Sequence, residues 1–365
     1  MPRKKPGDAD APTKSIKQII AAIDKKFGVG TIKRGSDITF RIVRVPTGLL
    51  TIDRLLGGGI ACGRFTELYG QYSTLKSYTA SAAVAAFQRA FPDKECLWVD
   101  AEGSLDPNFL ELLGVDLERL IVVPKPQHGE EITEIVEEFM ISGTCSLFVV
   151  DSIAALMPIR ETQYDADEGE KAMGSAGKMT SSMMRRLTAA NRYNAALIIL
   201  NQVRDQIGMV FGDPTKPTGG RAIPFYAGQR MDFRRGENIK SEEDVVGAGG
   251  KVLKGRLTQA RVVNLRMEKD KTAPREGVVG SMLWIPKELR IDEEEEMLIL
   301  GIEDGIIERN AQSIVFFPNS KKHKTSVRGW SAAKSWLIKN EKRAEVLRGR
   351  INKRSEELGH ALKVG

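Results

Sequence analysis

The residues with the most chemistry to offer lie in TELYGQYSTLKSYTA, Thr66 to Ala80. Thr66 to Tyr69 read as the end of a buried strand. The polar run Gly70 to Thr74 cannot continue it, and Lys76 and Ser77 open an Ala-rich helical segment. This layout suits phosphate oxygens. Backbone N–H groups of a loop wrapped over a helix N-terminus receive an anion, Lys76 adds a point charge for the outer phosphates, and the Ser77 hydroxyl is placed for Mg²⁺. The pattern GxxxxGK(S/T) asks for glycine where Leu75 stands. If that position needs a left-handed backbone, its Cβ costs roughly 1–2 kcal/mol; if not, the side chain merely narrows the loop. An ordinary strand-to-helix turn would look similar, so the neighbouring sequence has to decide.

Further polar groups sit at the ends of apolar runs. CLWVDAE carries Glu102 just past its end, SLFVVDS ends in Asp151, and ALIILNQ ends in Asn201 and Gln202. Helical patterns separate these runs, which predicts a mostly parallel α/β sheet, and such sheets bind ligands outside the C-terminal strand ends. Glu102, Asp151 and Gln202 therefore fall on the same rim as the loop. Beyond Gln202, the stretch from Val203 to Ala222 is rich in Gly, Pro and Thr, and a structureless segment of that length is usually functional. FYAGQRMDFRR and RVVNLRMEKDK read as paired strands, and the intervening GAGGKVLKGRLTQA is either a basic hairpin or a mobile flap.

The ends of the chain are more basic. Residues 1–13 read as a disordered basic arm. SIKQIIAAIDKKFG places Ile16, Ile19, Ile20 and Ile23 on one helical stripe, with Phe27 a turn further and Gly28 as a stop. So short a helix with so apolar a face needs a surface to cover. The expected division is 14–46 for this helix and a following strand, 47–280 for the core, and 281–365 for a small α/β domain with a Lys/Arg-rich helical tail from Ser331 to Val364.

Composition narrows the classes. With 365 residues and a 41% hydrophobic fraction, two or three domains with ordinary cores are expected. Three cysteines without CxxC spacing argue against a disulfide framework or zinc site and for a reducing cytoplasm. Three scattered histidines argue against histidine-based metal or triad chemistry. No run is apolar enough to span a membrane, and a net charge of +7 makes a polyanionic partner plausible.

Taken in order, FGVGTI, VPTGLLTIDRLLGGG, WVDAEGSLDP, VVDSIAAL, MGSAGKM, NQVRDQIGMVFGDPTKPTGGRAIPFYA and KDKTAP resemble the RecA family of recombinases over nearly the whole chain. The last domain matches by GWSAAKSWL and its basic helices. The resemblance implies an α/β fold: a RecA-type P-loop NTPase core, an N-terminal helix–strand oligomerisation arm and a small C-terminal domain. The sequence departs from the family at Leu75, in a longer segment before Met173, in GAGGKVLKGRLTQA, and at Pro224 where a lysine is usual. Some phage-encoded members also carry a bulky residue at the Leu75 position.

The resemblance assigns roles. ATP and Mg²⁺ would be held by Gly70, Gln71, Tyr72, Ser73, Thr74, Leu75, Lys76, Ser77 and Tyr78, with Asp151 completing the magnesium shell. Asp106 would hydrogen-bond the adenine and Phe109 cover its face. Glu102 would orient the attacking water and Gln202 would sense the γ-phosphate, while Lys269 and Lys271 would reach a neighbour's ATP as an arginine finger does. DNA would be met by Met173, Gly174, Lys178, Ser181 and Arg185, and by Arg204, Ile207, Phe211, Gly219, Gly220 and Arg221. Met173 and Ile207 would wedge between bases, so that binding is salt-dependent and sequence-tolerant. Arg234, Arg235 and Arg266 would form a secondary duplex site. Ile16, Ile19, Ile20, Ile23, Phe27 and Phe225 would build the contact between protomers, which leads to helical filaments when it does not close.

The implied activity is a DNA-dependent ATPase that coats single-stranded DNA, aligns it with homologous duplex and exchanges strands in a bacterial host's cytoplasm and nucleoid, assisted by single-strand-binding or loader proteins. The rivals are a RecA-fold ring motor or helicase and a filament that uses ATP only as a ligand. A scaffold role in repressor cleavage, as in the SOS response, would be an added activity.

Overall fold

The computed structural model describes residues 15–28, 31–32, 34–35, 42–162, 174–205, 215–246, 252–320 and 323–360. The expected arm at 1–13 and the DNA contacts at Met173, Ile207 and Phe211 lie outside them. The chain forms two compact units, residues 1–42 and 43–365. In the first, helix α1 (Ile16–Phe27) starts at Ser15, whose side chain accepts from the Gln18 N–H while Gln18 reaches back, and stops at Gly28. None of its residues is buried; Ile16, Ile19 and Phe27 are exposed and Ile20 and Ile23 half-buried.

In the second unit, β1 (Arg44–Val45) pairs with β2 (Ile60–Ala61) around α2 (Leu50–Leu55). Alternation then follows through β3 (Phe65–Gly70), α3 (Lys76–Ala90), β4 (Glu95–Asp100), α4 (Pro107–Leu112), β5 (Leu120–Pro124), α5 (Gly129–Ser142), β6 (Cys145–Asp151), α6 (Ile159–Thr162), α7 (Ser175–Ala190) and β7 (Ala196–Asp205). Next come β8 (Thr215–Pro217), α8 (Ala222–Tyr226), β9 (Gln229–Val246), β10 (Val252–Asp270), β11 (Val279–Ile285) and β12 (Arg290–Ile291).

The main sheet runs β12-β11-β10-β9-β3-β7-β6-β4-β5, parallel from β9 through β3 to β5 and antiparallel beyond β9. Successive residues of the central strands face opposite sides, as the pleat dictates. Cys96, Trp98, Leu147, Val149 and Ile198 join α2, α3 and α4 on one face. Leu97, Val99, Phe148, Val150 and Ile199 join α5, α7 and α8 on the other. The alanines of α3 carry so little volume that the helix beds closely on the sheet, with Ala80, Ala83 and Ala85 essentially inaccessible.

Three expectations change. Within the stretch from Val203 to Ala222 the described residues carry regular structure: β7 continues to Asp205, β8 pairs back on it with Arg204 opposite Lys216, and α8 begins at Ala222, while residues 206–214 lie outside the described residues. Of GAGGKVLKGRLTQA, the residues from Val252 to Ala260 lie on β10, which pairs with β9 from Gln229 opposite Asp270 out to Val246 opposite Val252 with register shifts on the way, while residues 247–251 lie outside the described residues. The boundary at 280/281 falls inside β11, which belongs to the main sheet because Arg261 to Arg266 pair with Trp284 to Val279.

The C-terminal part has its own core of Leu298, Ile314, Phe316, Leu337, Leu347 and Ile351. It comprises α9 (Glu293–Glu303), a small sheet of β13 (Ile307–Arg309), β14 (Ser313–Phe316) and β15 (Thr325–Arg328), then α10 (Trp330–Lys339) and α11 (Glu341–His360). The helical tail expected from Ser331 comprises α10 and α11, separated where Asn340 leaves helical geometry. This part is fastened to α2: Arg54 pairs with Asp304 on both guanidinium ends and donates to Ser355, and the Thr51 N–H donates to Glu296. At Gly359 the approach is so close that a Cβ would lie 1.9 Å from the Gly57 carbonyl oxygen. No helix of the described residues is long and apolar enough to cross a membrane.

Candidate active site

The loop between β3 and α3 begins at Gly70, with φ 146°, where a Cβ would stand 2.0 Å from the Phe233 carbonyl oxygen of the adjacent β9. Only glycine lets the two strands close at that point. Ser73 (φ 54°) and Leu75 (φ 69°) are left-handed, the conformation by which a short loop turns backbone N–H groups into an anion concavity. The glycine missing at 75 is therefore missing where a glycine conformation is used. The Thr74 hydroxyl donates to the Gln71 carbonyl at 2.7 Å and closes the turn. The Lys76 ammonium donates to the Gln71 carbonyl at 2.7 Å and the Gly70 carbonyl at 3.3 Å. Burial pulls Lys76 down to about 8, with Asp151 and Glu102 opposing and Arg235 adding to the fall.

Ser77 and Asp151 meet: the hydroxyl donates to the Asp151 carboxylate at 2.9 Å. Burial raises Asp151 to about 6, partly offset by that hydrogen bond. Both are hard oxygen donors at the start of α3 and the end of β6, which fits magnesium. Glu102, just past the end of β4, accepts from Ser152 at 2.5 Å and from the Gln202 amide at 2.7 Å. Gln202 in turn lends its backbone carbonyl to the Thr218 N–H (3.2 Å), so one residue touches both the rim carboxylate and the β7–β8 segment. Beneath it, buried Glu67 pairs with Arg230 at 2.5 Å and accepts from Asn201 at 2.8 Å. Asn201 also holds the Thr218 hydroxyl at 2.6 Å. Sequence reasoning missed Ser152 and this network. Ser152 directly follows Asp151, but a serine there carries no signal of its own.

Asp106 caps α4, its side chain accepting from the N–H groups of Asn108 at 2.9 Å and Phe109 at 3.4 Å. Phe109 lies 6.0 Å from the ring of Tyr78, which is buried, and Trp284 meets Tyr78 edge-on at 5.2 Å. Trp284 is thus a third aromatic beside the start of α3. It sits on β11, far along the chain from the motifs around the loop.

Lys178, Ser181 and Arg185 are exposed along one face of α7, with Gly174 at its N-terminus. Gly219 and Gly220 come against Thr180 and Gly177 of that helix, so the two candidate DNA segments converge, with exposed Arg204 and Arg221 flanking them. Lys269 donates to the Pro224 carbonyl and Lys271 to the Phe225 carbonyl at 3.1 Å, gathering both lysines at α8 beside the exposed Phe225 ring. Lys269 is drawn down to about 8 by burial and by Lys271. The neighbouring arginines part company. Arg234 chelates Asp232 at 2.8 and 2.9 Å and donates to Thr215 at 2.7 Å, whereas Arg235 folds onto the phosphate loop. Arg266 stays near the surface, 3.7 Å from Glu268.

A glycine-entered loop with left-handed turns, a buried lysine and a serine–aspartate pair at the C-terminal rim of a parallel sheet define the P-loop class of α/β nucleotide-binding proteins. A family model described as the RecA N-terminal domain matches residues 14–265. Protein RecA of Thermotoga sp. (strain RQ2) is 34% identical over 344 residues, 93% of this chain and 91% of the relative. Protein RecA of Paracoccus denitrificans is 37% identical over 301 residues, 81% and 79% of the two chains. That of Acinetobacter baylyi is 39% identical over 246 residues, 67% and 69%. The chain belongs to the RecA family.

Proposed function

We propose that the chain is a DNA-dependent ATPase and recombinase that assembles on single-stranded DNA as a helical filament, pairs it with homologous duplex and exchanges strands. The observation that carries this reading is the double engagement of Gln202, whose amide holds Glu102 while its carbonyl holds Thr218. A change at the DNA-facing segment is thereby felt at the carboxylate suited to orient a water. Glu102 takes that water's proton, the loop N–H groups and Lys76 bind the phosphates, and Ser77 and Asp151 would hold Mg²⁺, which supplies charge neutralisation when bound.

Lys269 and Lys271 act across a protomer boundary: their hydrogen bonds go to α8 and not to the phosphate loop of the same chain. The nucleotide then lies between copies, and α1 supplies the apolar face for the adjacent protomer. Lys178, Arg185, Arg204 and Arg221 meet DNA phosphates, with Gly219 and Gly220 giving backbone access.

The test is phosphate release by purified protein with and without single-stranded DNA, beside a Lys76→Ala control and electron microscopy of the DNA complex. DNA-stimulated release lost in the control, on open filaments, is the expected result. Binding without turnover would leave ATP as a ligand only, and closed rings would favour a motor.

A further inference from the structure

Arg235 was expected to contact duplex DNA, yet its polar contacts run to the phosphate loop. Its Nε and one terminal nitrogen both donate to the Tyr72 carbonyl, at 3.0 and 2.8 Å. Its guanidinium lies 3.6 Å from the centroid of the Tyr72 ring. Its backbone N–H donates to the Gln71 side chain at 3.0 Å, and the Gln71 N–H donates to the Phe233 carbonyl at 3.2 Å. Strand β9 therefore runs past the end of β3 and grips Gln71 and Tyr72 of the loop.

We propose that Arg235 is a positioning residue for bound nucleotide, acting through Tyr72. The reason lies in peptide geometry. A trans peptide is planar, so its C=O and N–H point in opposite directions. With the Tyr72 carbonyl held by Arg235, the Ser73 N–H points away from the guanidinium. With the Gln71 carbonyl held by Lys76, the Tyr72 N–H points away from the ammonium. Two successive amides are thus fixed in direction before any phosphate arrives, and fixing donors in advance lowers the ordering cost of binding. Tyr72 is 72% exposed, and nothing else described in its side-chain surroundings restrains it as the stacked guanidinium does. Lysine is a poor substitute, because a point charge can neither stack flat on a ring nor donate twice in a fixed fork.

The inference rests on the phosphate-loop reading, and the experiment separates the two. Affinity for a fluorescent ATP analogue is measured without DNA for the parent, Arg235→Ala, Arg235→Lys, Tyr72→Ala and the double alanine variant. In parallel, the salt dependence of duplex DNA binding is recorded. A charge-assisted hydrogen bond lost from the loop predicts an affinity weakened about tenfold in Arg235→Ala. Arg235→Lys loses about threefold, and Tyr72→Ala adds little to Arg235→Ala, because coupled residues are non-additive. In turnover the effect falls mainly on KM, and the DNA salt slope stays put. An Arg235→Ala protein that binds the analogue within about twofold of the parent overturns the proposal. If its DNA salt slope is also shallower by about one, the residue belongs to DNA instead. If Arg235→Ala melts early, Arg235→Lys carries the comparison with the same expected direction. A parent that binds no analogue sinks the nucleotide reading itself.

Discussion

Leu75 holds a conformation, φ 69° and ψ 19°, in which a Cβ is crowded. Leu75→Gly relieves roughly 1 kcal/mol of that strain but gives up the side chain's packing against the main core and adds unfolded-state entropy. The expected outcome is a small net change in melting temperature and nucleotide affinity as good as the parent's or better. Leu75→Ile, β-branched at the same φ, should lose at least about 1 kcal/mol. Thermal melts and nucleotide titrations of both variants decide; isoleucine tolerated as well as glycine would refute the strain. For Glu102→Gln, phosphate release should fall about 10²-fold or more with nucleotide affinity largely kept, measured by single-turnover release and titration. Lys76 and Ser77 were legible because their spacing after a strand is itself the motif. Arg235 was not, because an arginine on a strand looks the same whether it faces a polyanion or a carbonyl. Trp284 was hidden by distance along the chain, its ring reaching Tyr78 only once β11 is laid in the sheet.

At the scale of elements, the convergence of α7 with the β8–α8 turn gives a prediction about DNA. Lys178 and Arg185 project from one exposed face of α7, so alanine at either should flatten the salt dependence of single-strand binding by about one unit of slope each. Fluorescence anisotropy over a range of salt measures this; an unchanged slope for both would remove α7 from the DNA surface. The alternating α/β pattern was readable because apolar runs ended in polar residues again and again. The β7–β8 pairing was less so: the prolines of DPTKP read as turn signals, and the contact between Asn201 and Thr218 beside the pairing is visible only in three dimensions. The β9–β10 hairpin posed the converse problem, since GAGG marks a turn without fixing how far the flanking residues pair.

For the whole molecule, a buried carboxyl lies at the seam between α2 and α9. Glu296 is almost inaccessible; burial raises it to about 7, against the hydrogen bonds from Thr51 and with Glu293 and Asp53 adding to the rise. Its folded value lies above its unfolded one, so its contribution is most favourable at low pH and is lost as pH rises toward and through about 7. Glu296→Gln keeps an acceptor for the Thr51 N–H and removes the titration. The variant should therefore gain about 2–3 kcal/mol relative to the parent between about pH 5 and pH 8.5. Melts at both pH values check this; a constant difference would show that Glu296 does not titrate in the fold. The expected boundary at 280/281 crosses β11, whose place in the main sheet is visible only in its pairing with β10.

The glycine-to-glycine contact at Gly57 and Gly359 reaches further than local packing. Because α11 returns its far end to the turn after α2, the C-terminal part is fastened to the core near both its beginning and its end. Heat should not peel it away first. In a calorimeter, residues 43–365 would melt in one cooperative endotherm, whereas Gly359→Ala, by wedging that contact apart, would split it into two.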